Sequence, residues 1–198
     1  FVVNGKGEMS VSQIQFNGWG EKQVNTRDSQ IARLVAERLG LQIIPTGLHG
    51  EAGGVEQDGH GLLMAHESSW VNENRNPGMS RDQIEAALLE AYGAEQMIWS
   101  EGVWDEDITD YHIGSLARFT GPGKVLINLP ESPDLSNPFH LAALATAQQA
   151  FDIYFHARLG EREVARPKAR RPARPEERLR ERLDRAGEVR HRDAAIDD

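Results

Sequence analysis

A mixed α+β fold, assembled from a repeated strand, strand, helix, strand unit, is what this sequence predicts. Two observations carry the prediction. Helix start and stop signals recur three times, with starts about 52 and then 57 residues apart. Strand-like stretches occupy matching places around each of those helices.

The first unit opens with strands over Phe1 to Val3 and Val11 to Phe16. Asp28 then caps a helix over Ser29 to Leu39, whose apolar residues Ile31, Leu34, Val35 and Leu39 share one face expected to be buried, and Gly40 supplies the left-handed stop. A strand over Leu41 to Ile44 completes the unit. The second unit begins with strands over Gly54 to Gln57 and Leu62 to His66, divided by the turn residues Asp58 and Gly59. Ser80 and Gln83 form a capping box for a helix with Ile84, Ala87, Leu88 and Ala91 as its buried stripe, Gly93 ends it, and Gln96 to Trp99 is the closing strand. In the third, Ile113 to Thr120 and Lys124 to Leu129 read as strands, followed by a helix started by Asn137 and Pro138 that runs to Gly160 through Leu141, Leu144, Ala145, Ala147, Phe151 and Phe155. Where its closing strand should follow, the chain instead becomes rich in arginine and glutamate. The 38 residues from Glu161 hold no aromatic residue and only 11 of Ala, Val, Leu or Ile, too few to offset the entropy of ordering. Residues 1–160 therefore read as a partial domain, and 161–198 as a charged tail, disordered or partly helical.

Charge and composition narrow the function. Net charge is −9, but residues 1–157 carry −12 and residues 158–198 carry +3. The acidic body disfavours nucleic acid and suits a cationic ligand. No run approaches the 18 to 20 apolar residues of a membrane span, and Phe1-Val2-Val3 is too short for a signal peptide, so a cytoplasmic protein with no membrane partner is expected. With no cysteine in the chain, there is neither a disulfide nor a thiolate nucleophile. The gaps between His49, His60 and His66 match no common metal spacing, and neither a metal nor another cofactor is expected.

Three polar clusters fall at loop or strand-end positions, where sites usually occur. In Phe16-Asn17-Gly18-Trp19-Gly20 the Trp19 indole serves either as a cation-binding face or as a cover for a core edge. In the run from Glu51 to Gly61, Glu51 and Asp58 are carboxylates without a basic neighbour in sequence, suited to a cation. In Trp104 to Gly114, the four carboxylates Asp105, Glu106, Asp107 and Asp110 crowd His112, which reads either as a general acid beside a cationic substrate or as a structural histidine.

Phe16-Asn17-Gly18-Trp19-Gly20, the Glu51-Ala52-Gly53-Gly54 element leading to Asp58-Gly59, Asn72-Glu73-Asn74-Arg75-Asn76-Pro77 and Thr109-Asp110-Tyr111-His112-Ile113 follow in this order. In that order they resemble the agmatine deiminase and bacterial-type peptidylarginine deiminase family, over Phe1 to roughly Leu144. The resemblance implies a pentein fold, a fan of five such units around a central tunnel. It also implies hydrolysis of a guanidinium: agmatine to N-carbamoylputrescine and ammonia, as in putrescine biosynthesis, or deimination of protein arginine. A family cysteine attacks the guanidinium carbon, carboxylates grip its nitrogens, and a histidine protonates the departing ammonia and then activates water. The histidine maps onto His112 and the glutamate onto Glu51, with Asp110, Asp58, Trp19 and Arg75 as further substrate-binding or pocket-shaping candidates.

Two positions depart from the family pattern. Gly114 stands where its His-x-Asp has Asp, and Ala52 where Glu-Gly-Gly has Gly. The nucleophilic cysteine belongs to a final unit this chain does not contain. The chain is therefore expected to be an incomplete, inactive member, with a non-catalytic module binding agmatine-like cations, or an interaction protein working through the tail, as the alternatives. Open sheet edges are expected to favour self-association.

Overall fold

The computed structural model describes the backbone of residues 1–122 and 124–159 and the side chains of 1–122 and 124–150. The expected charged tail lies outside the described residues, as do the side chains of Phe151 and Phe155. Residues 1–149 form one compact unit, and the segment from Ala150 a second, of which only the end of a helix is described.

The repeat is present as topology. Strand β1 (Val2–Val3) pairs antiparallel with β2 (Met9–Gln15), which pairs parallel with β3 (Gln42–His49), with Val2 opposite Ser10 and Ser10 opposite Gln42. The second copy has the same plan: β4 (Val55–Gln57) is antiparallel to β5 (Leu62–His66), and β5 is parallel to β6 (Gln96–Ser100). A parallel pair needs a crossover, and helices α2 (Ile31–Leu39) and α3 (Arg81–Tyr92) supply one each. The third copy shows its hairpin, β7 (Ala117–Gly121) with β8 (Lys124–Ile127), followed by α4 (Pro138–Leu159). A single turn, α1 (Gly18–Glu21), follows β2.

Local chemistry explains most boundaries. The Ser80 hydroxyl accepts from Gln83 N–H at 3.3 Å and the Gln83 side chain accepts from Ser80 N–H at 2.8 Å, which is the expected capping box. Gly93 closes α3 and Gly40 closes α2, both at φ 64°. Asp28 makes no cap: residues Asp28–Gln30 form a 3-10 turn, and α2 starts after Gln30 without a side-chain hydrogen bond. Strand β7 starts later than expected, because Ile113–Ser115 winds into a 3-10 turn behind His112.

The stripe of α2 departs from the sequence reading. Ile31, Leu34, Val35 and Leu39 are exposed at 54%, 47%, 36% and 57%, and the buried residue of the helix is Ala36. The helix touches its sheet through the small residue and leaves its apolar side uncovered. By contrast Ile84, Leu88 and Ala91 of α3 are buried as expected, and among the described side chains of α4 the buried ones are Ala142, Ala143 and Thr146 rather than Leu141 and Leu144.

The core gathers Leu48, Val55, Leu63, Ala65, Trp70, Ile84, Leu88 and Trp99. Trp70 is fully buried and donates its indole N–H to Gly54 O at 2.8 Å. A side chain at Gly50 would stand 2.4 Å from the Trp70 ring, so the loop carrying Glu51 lies flat on that indole only because its ends are glycine.

Candidate functional site

Three connecting segments, 50–54, 72–76 and 105–112, bring the polar residues together. The 72–76 loop is tied by its own asparagines: Asn72 accepts from Arg75 N–H at 2.9 Å, and Asn76 donates to His49 O at 3.0 Å and to Trp70 O at 2.9 Å. Those bonds leave the Arg75 side chain buried and pointed at Glu51. Arg75 Nε lies 3.1 Å from both Glu51 oxygens, Nη1 lies 2.5 Å from Asp110 Oδ2, and Nη2 donates to Thr109 O at 3.2 Å. On its other side Glu51 Oε2 is 3.0 Å from His112 Nε2. His112 fits there because Gly53 has no side chain, since a Cβ would fall 2.6 Å from His112 Nδ1.

Of the residues singled out in sequence, Glu51, Arg75 and His112 therefore form one chain of contacts, and Asp110 joins it through Arg75. The four carboxylates do not all gather around the histidine: Asp107 interacts with it electrostatically, while Asp110 and Asp105 are drawn to Lys22. Asp110 is buried and shared between Arg75 and Lys22, whose Nζ is 2.8 Å from Asp110 Oδ1 and 3.3 Å from Asp105 Oδ1. Asp107 accepts from Thr109 N–H, the Thr109 hydroxyl and Tyr111 N–H, and Glu106 is exposed. Burial pushes the Asp110 carboxyl upward, but hydrogen bonds from Lys22 and Arg75 outweigh it and hold the pKa below the ordinary value. Asp58 goes to the β4–β5 turn, accepting from His60 N–H at 2.7 Å and Leu62 N–H at 3.0 Å.

Trp19 stands at the wall of a groove of about 350 Å³ that Glu51, Ala52 and Phe16 also line. Its ring meets Phe16 edge to face at 5.0 Å. The Trp19 backbone is left-handed, at φ 56°, and Asn17 clamps it by accepting from Gly20 N–H at 2.9 Å and donating to Asn74 O at 2.9 Å. Gly114 sits in the 3-10 turn, where a Cβ would lie 3.0 Å from Gly53 O and 3.3 Å from Glu56 Oε1, so an aspartate there would have to move its neighbours.

Lys22 and Ser68 escaped the sequence reading, and His66 entered it only among the histidines whose spacing matched no metal site. His66 is fully buried, its ring stacked on Tyr111 at 4.8 Å, and burial pushes its pKa down to about 4, opposed in part by the bond to Tyr111 O. No spacing in the chain ties these residues to the 105–114 segment they contact.

A family model for Porphyromonas-type peptidyl-arginine deiminase matches residues 1–180. The chain is 34% identical over 160 residues to agmatine deiminase of Pseudomonas fluorescens, covering 77% of this chain and 43% of the relative. It is 36% identical over 134 residues to the Ectopseudomonas mendocina enzyme of the same name, covering 64% and 36%. Among solved structures it is similar to agmatine deiminase of Enterococcus faecalis, with a TM-score of 0.65, 28% identity and coverage of 74% of this chain and 41% of that one. It is also similar to a cysteine-to-serine variant of C. jejuni agmatine deiminase with substrate bound, with a TM-score of 0.60, 25% identity and coverage of 71% and 42%. The chain thus spans about two fifths of the length of these relatives. With most of its residues matched by one family model, it belongs to the Porphyromonas-type peptidyl-arginine deiminase family.

Proposed function

We propose that this chain carries the guanidinium-recognition and proton-transfer part of an agmatine deiminase-type hydrolase and, having no cysteine, does not complete the covalent reaction by itself. One observation carries the reading: Glu51 lines the groove beside Trp19 while its Oε2 stands 3.0 Å from His112 Nε2. A carboxylate and an aromatic face suit a delocalised cation, and a histidine in contact with that carboxylate suits proton transfer to a departing ammonia. Arg75 already shows Glu51 bound to a guanidinium, through Nε at 3.1 Å. The substrate is agmatine, giving N-carbamoylputrescine, or an arginine side chain. The repeat supports placing the units in a pentein fan, residues 1–160 as a partial copy of it.

Calorimetric titration of agmatine into the purified chain tests recognition, and an ammonia assay tests turnover. Saturable heat, weakened about tenfold or more in Glu51→Gln and in Trp19→Ala, with no ammonia released, is the expected result. Absence of saturable heat overturns the recognition, and release of ammonia with N-carbamoylputrescine overturns the need for a thiol. A binding module with no catalytic ancestry in its histidine is the second reading, favoured by the cysteine count.

A further inference from the structure

Two consecutive residues directly before His112 hold a backbone conformation that L side chains rarely adopt. Asp110 has φ 55° and Tyr111 φ 62°. Each such residue is strained, and it persists only where its surroundings hold it. Here the surroundings are specific. Ser68 donates its hydroxyl to Asp110 O at 2.7 Å, and His66 Nδ1 lies 2.7 Å from the next carbonyl, Tyr111 O. A carbonyl only accepts, so Nδ1 carries the proton. Both side chains come from one short stretch, the end of β5 and the turn after it, and both are fully buried.

The bracket is closed from its other sides as well. The His66 ring stacks on the Tyr111 ring, and Tyr111 meets Phe139 of α4 edge to face at 4.9 Å. His66 Nε2 faces the Thr146 hydroxyl at 3.3 Å, and Thr146 lies 2.9 Å from the Ser100 hydroxyl of β6. Gly102 leaves the space: a Cβ there would stand 2.1 Å from Ser68 Oγ and 2.7 Å from His66 Cβ.

We propose that His66 and Ser68 are positioning residues for His112. By holding the carbonyls of Tyr111 and Asp110 they fix the left-handed pair, and the pair sets where the next residue leaves the backbone. That direction brings the His112 ring onto Glu51 Oε2. The functional meaning rests on the proton-transfer role given to His112, but the device itself is read without substrate.

The test is nuclear magnetic resonance of the full chain labelled in its histidine rings, with far-ultraviolet circular dichroism as the check on folding. His66→Leu removes the donor and is expected to shift the His112 ring-nitrogen and Cε1–H resonances in a folded chain. His66→Asn, whose amide N–H can reach Tyr111 O, is expected to return them toward their original positions. If His66→Leu does not fold, Ser68→Ala replaces it, deleting only the hydroxyl given to Asp110 O, and the same shift is expected. Folded variants whose His112 resonances stay in place overturn the proposal. So does an equal shift in His66→Leu and His66→Asn, which is the pattern of plain packing. Failure of agmatine binding would touch the functional reading and leave these resonances as the judge of the bracket.

Discussion

Arg75 has a side chain with no exposed surface, and its guanidinium holds Glu51 and Asp110 at once. Removing one partner of a buried ion pair strands the other charge, which typically costs about 3–5 kcal/mol. Arg75→Ala is therefore expected to lower the unfolding free energy by about that amount, read from urea melts, and Arg75→Ala with Asp110→Asn is expected to recover part of it. His66 makes a separate prediction about pH. Its pKa falls from 6.5 unfolded to about 4 folded, so the unfolded chain takes up the proton first as the medium becomes acid. The stability associated with neutral His66 is present above about pH 6.5, declines toward pH 4 and amounts to about 3 kcal/mol. Urea midpoints between pH 7.5 and 4.5 should fall more steeply in the original chain than in His66→Asn. The Asp107 and Asp110 carboxyls, whose pKa values lie below 3.8, act only below that window. These residues also mark how much of the site was legible in sequence. Glu51 stood out as a carboxylate without a basic neighbour and His112 as a histidine among carboxylates, while Arg75 stood out only through the family resemblance. His66 and Ser68 did not, since their role depends on a backbone strain 42 to 45 residues away that no spacing encodes.

At the scale of elements, α3 and α2 teach opposite lessons. Everything that places α3 is local: the capping box, the Gly93 stop and a stripe that finds the core at Ile84 and Leu88. The α2 periodicity named an apolar face correctly and could not say what covers it, because a period fixes a direction on a helix and the partner comes from elsewhere. Substitutions should divide along the same line. Leu34→Gln on the exposed face of α2 is expected to change stability by no more than about 0.5 kcal/mol, whereas Leu88→Ala is expected to cost about 2–5 kcal/mol. Thermal melts of the two variants side by side check the contrast. A loss of more than about 1 kcal/mol in Leu34→Gln, measured on dilute chain and about twice the surface norm, would show that the face is covered within the single copy.

The molecule as a whole leaves apolar surface and strand edges unaccounted for. Among the described residues, strand β3 pairs only with β2, and β8 only with β7. Ile44 on β3 is 44% exposed, Leu126 on β8 is 65% exposed, and the α2 stripe adds Ile31, Leu34 and Leu39. Pro45 blunts part of the β3 edge, because it has no N–H to offer a new strand. The remaining edge groups and apolar patches invite a second copy, while the net charge of −12 over residues 1–157 opposes close approach. Because that repulsion is screened within about 8 Å at 0.15 M ionic strength, salt should favour association. Sedimentation velocity of the full chain is therefore expected to show self-association that grows with concentration and between 20 mM and 300 mM salt. Leu34→Glu with Leu126→Lys should shift it back toward a monomer and leave the melting temperature of the dilute, monomeric chain unchanged, since both positions are exposed in the single copy. A sharp monomer boundary at every concentration and salt level would mean that the exposed edges and the α2 stripe do not pair between copies, and that Pro45 and the acidic surface suffice to keep them apart.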